Sequence, residues 1–142
     1  MNELVLDASV VLKWFASPPE QNTATARRVR AEYEAGRLAV VIPSLLYLEL
    51  VNVAGRRWGW GETPLLGLAA ALGELAFEAR EPELSAVAAW TARGLTAYDA
   101  AYVALAEQWS LTLLTDDQQI LAVAPQVAKP LASWEPGPRR EG

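Results

Sequence analysis

Three short apolar runs constrain this chain most: LVL at residues 4–6, LAVVI at 38–42 and LTLLT at 111–115. None shows the in–out alternation of a strand with one wet face. A strand of this kind is buried on both sides, which is the habit of parallel sheets covered by helices. The intervening segments carry helical rather than strand spacing. Strands alternating with helices predict an α/β domain of three layers, α/β/α, around a mostly parallel central sheet of four or five short strands.

The remaining elements follow from local signals. Residues 8–15 have helical spacing, and Ser17-Pro18-Pro19 breaks them. Residues 20–35 read as a polar helix with Ala24, Val29 and Tyr33 towards the core, stopped by Gly36. Pro43 suits a first helical position, and a helix is expected from Ser44 to Arg57. GWG at 59–61 interrupts, and residues 62–75 form the next helix. AFEAR (76–80) alternates like a short strand. Helices are expected at 82–93 and 96–109, a short one after Asp117, and an edge strand at 127–131. Residues 1–134 are expected to be one domain, and the tail 135–142, EPGPRREG, to be disordered.

Composition removes whole classes of chemistry. The chain has no cysteine and no histidine. Disulfides, thiolate metal sites, cysteine nucleophiles and Ser-His-Asp triads are therefore excluded. Catalysis would have to use carboxylates, hydroxyls, Lys, Arg or a metal held by oxygen, and oxygen ligation suits Mg²⁺ or Mn²⁺. The formal net charge of −5 argues against a protein that coats nucleic acid by bulk charge. The acidic N-terminus is unlike a secretory leader. No apolar stretch reaches membrane-spanning length, since Pro43 and Ser44 interrupt the nearest approach at 38–48. A cytoplasmic protein without a membrane contact is expected.

The aspartates are few and restricted. There are four, Asp7, Asp99, Asp116 and Asp117, against thirteen glutamates. Asp7 and the Asp116–Asp117 pair follow expected strands, on the edge where open α/β sheets bind ligands. Each has a structural explanation as well. Asp7 fits the N-cap of the helix from Ala8. Thr96 to Asp99 and Thr115 to Gln118 each fit a capping box, which would put Asp116 and Asp117 in a first helical turn. Against this, the helix after Asp99 is apolar nearly all round and therefore buried, where a carboxylate needs a partner. Glu49 resists the capping explanation, because it lies mid-helix between Leu48 and Leu50. It shares a stripe with Asn52 and Arg56, so it is either a solvated Glu–Arg stripe or a carboxylate turned into an acidic pocket.

The combination resembles the PIN-domain ribonucleases, and most closely the VapC-type toxins of toxin–antitoxin pairs. Four anchors carry it across nearly the whole chain: LVLDASVVLKWF (4–15), PSLLYLELVN (43–52), LTAYDAAYVALA (95–106) and LLTDDQQIL (113–121). The third is the most specific. The resemblance implies an acidic quartet of Asp7, Glu49, Asp99 and Asp117 that holds Mg²⁺ or Mn²⁺ directly or through water and hydrolyses RNA phosphodiesters. It implies supporting roles for Ser9, Thr115 and Asn52, with Asp116 as the variable neighbour. It also implies a homodimer and a cognate antitoxin laid across the site, with the helices at 44–54 and 62–75 offering the surface.

Positive charge for an RNA substrate is available at Lys13, Arg56 and Arg57. Arg27, Arg28 and Arg30 read better as a solvated helix face. The loop RRWGWGE (56–62) offers two Trp that would stack on unpaired bases or anchor the core. The alternatives to a toxin are a stand-alone RNA-processing PIN nuclease and a non-catalytic PIN-like binding module. A haloacid-dehalogenase-type phosphotransferase would need Asp where Ser9 stands. A receiver domain would need a phosphorylatable Asp ending a central strand, with an acidic pair before it.

Overall fold

The computed structural model describes residues 2–16, 19 and 21–137. Five strands form one sheet: β1 (Asn2–Leu6), β2 (Leu38–Ile42), β3 (Glu78–Ala79), β4 (Thr112–Thr115) and β5 (Ala128–Pro130). Their order is β3-β2-β1-β4-β5, and every neighbouring pair is parallel. The three apolar runs occupy the three central positions, as burial on both faces demands. Val5, Leu6, Val41, Ile42 and Leu113 are fully buried.

Seven α-helices among the described residues complete the three layers: α1 (Ala8–Val11), α2 (Thr23–Glu34), α3 (Leu45–Asn52), α4 (Glu62–Leu75), α5 (Leu84–Ala92), α6 (Ala97–Gln108) and α7 (Gln118–Val123). Helix α6 lies against β1 and β4, with α5 packed on its other side. Burial from two directions explains its unbroken run of buried residues, Ala100 to Ala106. No helix of the described residues is long and apolar enough to cross a membrane.

Several boundaries differ from expectation. The sheet is wholly parallel, and β3 shrinks to two residues. The helix from Ser44 to Arg57 divides into α3 and a π-helical turn at Val53–Arg57. The expected helix at 8–15 becomes α1 plus a 3₁₀ turn at Leu12–Trp14, whose Trp14 indole N–H donates to Ala26 O at 2.7 Å. That contact sets the inward stripe of α2 as Thr23, Ala26, Val29 and Tyr33, so Ala26 is buried and Ala24 is exposed. Residues 17, 18 and 20 of the expected break and helix start lie outside the described residues, as do residues 138–142 of the tail.

Candidate active site

The strand order locates a crevice. From β1 the chain builds outward to β2 and β3, then returns to the other side of β1 for β4 and β5. The order reverses between β1 and β4, and ligands of open α/β sheets bind beyond the carboxyl ends of the strands at such a point. The register pairs Leu6 with Leu114, so Asp7 and Thr115 stand opposite one another at that edge.

Asp7 is the centre of the arrangement. It holds the N-cap position of α1, where its backbone carbonyl accepts from Val10 N–H at 3.3 Å, but its side chain makes no capping hydrogen bond within normal geometry. Its carboxylate instead accepts from two hydroxyls: Ser9 Oγ donates to Oδ1 at 2.6 Å, and Thr115 Oγ1 donates to Oδ2. Each hydroxyl in turn accepts a backbone N–H from the β4–α7 loop. Asp116 N–H donates to Ser9 at 2.9 Å, and Asp117 N–H donates to Thr115 at 3.0 Å. The hydroxyl protons are thus directed at Asp7, and the loop bearing Asp117 is tied to it. Asp7 is only 4% exposed. Burial raises its pKa to about 7 against the lowering effect of the two hydroxyls, and the Asp117 charge adds to the rise.

The other acids sit at element ends or point from a helix face. Asp117 is the N-cap of α7, with Oδ1 accepting from Ile120 N–H at 2.9 Å. Thr115 closes β4 instead of capping a helix, so the capping-box reading of Thr115 to Gln118 does not hold. The reason is the hydroxyl itself, which faces Asp7 and Asp117 N–H. The capping box at Thr96 is realised in part, with Thr96 Oγ1 accepting from Asp99 N–H at 3.1 Å. Asp99 is half-buried, and burial followed by the Asp117 charge raises its carboxyl pKa. Glu49 is also raised, first by burial and further by Asp99, while a hydrogen bond from Tyr102 opposes the rise. Electrostatic influence therefore runs from Glu49 through Asp99 and Asp117 to Asp7.

Asp116 is drawn aside. Its carboxylate pairs with Lys13 Nζ at 3.2 Å and accepts from Asn22 Nδ2 at 3.4 Å. Lys13 is buried beside it. A cleft of about 360 Å³ opens there, lined by Ser9, Lys13, Arg57, Trp58, Asp116 and Asp117 among others. Arg56 and Asn52 are exposed outside it. Arg30 pairs with Glu34 at 2.6 Å, and Arg28 stacks on Trp134 at 5.7 Å, as a solvated helix face would. Trp58 and Trp60 pack on each other at 5.3 Å.

Two participants escaped the sequence reading, Asn22 and Tyr102. Asn22 gives no sequence signal, because its αL backbone and its reach to Asp116 arise from the fold. Tyr102 had one: it is the sole phenol within the apolar body of α6, three residues beyond Asp99, and so shares its face.

Among the described residues no three carboxylates stand together as a ready cation site. The donor set is nevertheless all oxygen, and the four acids are linked through their charges. That suits a hard ion which keeps water between itself and some of its ligands.

Comparison with known proteins agrees with this architecture. The chain resembles the crystal structure of PAE2754 from Pyrobaculum aerophilum, with TM-score 0.65 and 24% identity over 93% of this chain and 92% of the other. It also resembles that of FitAcB from Neisseria gonorrhoeae, with TM-score 0.65 and 16% identity over 92% and 99%. At such identities the likeness speaks for the fold. No curated protein matches the chain. The PIN domain matches residues 4–125, a span that holds the buried end of β1, all of β4 and the four carboxylates Asp7, Glu49, Asp99 and Asp117. With the match extending over most of its length, the chain belongs to the PIN-domain family, whose members are in general nucleases.

Proposed function

We propose that this protein is a Mg²⁺- or Mn²⁺-dependent endoribonuclease acting as the toxin of a toxin–antitoxin pair. The observation that carries the nuclease reading is Asp7, a buried carboxylate at the β1/β4 switch point that feels the charge of Asp117. Two hydroxyls and two backbone amides are spent on holding it there, which a residue with no more than a capping role would not require. Asp7, Asp99 and Asp117 would hold the cation, and Glu49 would do so through water. When bound, the cation supplies Lewis acidity at the phosphate and lowers the proton affinity of a neighbouring water.

The chain's own groups do the rest. Ser9 and Thr115 keep Asp7 oriented and aligned with the Asp117 loop. Lys13 and Asn22 hold Asp116 out of the quartet. Arg57 places a positive charge in the cleft beside Asp117, where a backbone phosphate would lie, and Arg56 would extend that contact along the RNA. The toxin role, the antitoxin and the homodimer rest on the resemblance of the four sequence anchors.

The test is cleavage of single-stranded RNA by purified protein with Mg²⁺ or Mn²⁺, beside EDTA and a DNA strand of the same sequence. Asp7→Asn and Asp99→Asn should each lose about 100-fold or more, since even partners behind metal ligands are worth about 10–100-fold. Equal activity in all three proteins overturns the mechanism. A small DNA-binding protein encoded directly upstream would support the toxin role.

A further inference from the structure

The least explained group in the crevice is the Tyr102 hydroxyl. Tyr102 is 1% exposed, in the middle of the seven buried residues of α6. A buried phenol needs a partner, and this one donates to Glu49 Oε1 at 2.7 Å. It forms no other hydrogen bond among the described residues. Its surroundings are acidic beyond Glu49, because the charges of Asp7 and Asp99 also reach it. One proton donor is therefore set among three of the four carboxylates.

Geometry restricts what this donor can do. Glu49 projects from α3, whereas Asp99 and Tyr102 lie three residues apart on one face of α6. Helix α6 thus carries one acid of the site and a clamp on another. The phenol cannot turn to water, so its bond fixes the rotamer of a side chain that would otherwise swing from a half-buried helix face. With Oε1 held by the phenol, Oε2 is the oxygen of Glu49 that makes no hydrogen bond among the described residues.

We infer that Tyr102 is a positioning residue, which holds Glu49 by Oε1 and so presents Oε2 first to a divalent cation or to its water. This rests on the proposed metal-dependent reading. It explains a tyrosine in a helix otherwise packed with Ala, Val and Leu. A phenol that merely satisfied itself on the nearest acceptor would show no coupling to Glu49 in metal affinity.

The experiment is Mn²⁺ binding by calorimetry to four folded proteins: wild type, Tyr102→Phe, Glu49→Gln and the double variant. Partners that orient ligands are typically worth about 10–100-fold in metal affinity. Tyr102→Phe should weaken Mn²⁺ binding about 10-fold or more in the wild-type background and by little in the Glu49→Gln background, because coupled residues are not additive. An equal loss in both backgrounds, or none in the first, overturns the assignment. In that case Glu49→Gln would still weaken binding and the metal reading would stand. Absence of saturable Mn²⁺ binding by the wild type overturns both. Should Tyr102→Phe not fold, the wild type carries the test: the Tyr102 Cζ resonance must shift on Mg²⁺ titration with the affinity seen at Glu49. A Tyr102 signal that does not move overturns the inference.

Discussion

At the scale of single residues, the site is one in which stability is given up. Asp7 has an ordinary carboxylate pKa of 3.8 when unfolded and one raised to about 7 by burial when folded. Below the lower value both states are protonated and nothing changes. As pH rises between the two, the unfolded state releases a proton that the native state keeps, so stability falls through this window and levels off above about 7. Asp7→Asn removes the penalty while keeping the shape. In EDTA, the variant should melt above the wild type at pH 8, by a margin on the order of a few kcal/mol, and the gap should close near pH 4. Thermal melts across this range check it, and a gap independent of pH would refute it. Composition alone does not distinguish Asp116 from Asp117; the resemblance sets Asp117 in the quartet, and the fold brings Lys13 and Asn22 to Asp116. Tyr102 can be placed on the face of Asp99 from the sequence, but its partner Glu49 is remote in sequence, and tertiary contacts leave no periodic trace.

Among the elements, legibility followed burial. Strands β1, β2 and β4 declare themselves because central parallel strands are apolar throughout. Edge strand β3 is two exposed residues, so nothing in AFEAR could reveal its length. The spacing predicts helix α2 but turns Ala24 inward, whereas the structure buries Ala26, because the contact that orients the helix comes from Trp14 in another element. Helix α6 is the element on which both packing and site depend. Its first turn is fastened by Thr96, whose hydroxyl takes the Asp99 N–H, and so the same bond starts the helix and sets an acid of the proposed quartet. Thr96→Ala should lower stability by about 1 kcal/mol and reduce nuclease activity by more than Tm alone explains, because Asp99 loses its anchored turn. Denaturation and cleavage measured on one preparation separate the two effects. An activity loss that disappears once the folded fraction is allowed for would show that Thr96 serves the helix alone.

For the whole molecule, the balance between apolar content and burial is uneven. Half of the chain is hydrophobic, 52%. The central strands and α6 are buried almost throughout, whereas α4 is not: in ETPLLGLAAALGEL only Leu68 and Leu72 are buried. Leu66 is left 64% exposed on α4, and Leu48 75% exposed on the neighbouring α3. An apolar helix with a wet face lowers its free energy by pairing, and a two-fold contact covers the same patch on both copies. The proposed homodimer would therefore bury each of these leucines twice. A fully buried leucine contributes roughly 1.5–3 kcal/mol, so Leu66→Glu should weaken the dimer by about 3 kcal/mol or more, upwards of 100-fold in dissociation constant. Both residues are exposed within the protomer, so its own melting temperature at low concentration should stay nearly unchanged. Sedimentation equilibrium of wild type, Leu66→Glu and Leu48→Glu reads the result. A wild type that remains monomeric at tens of micromolar, or variants that dimerise as well as the wild type does, would place the partner surface elsewhere on the molecule.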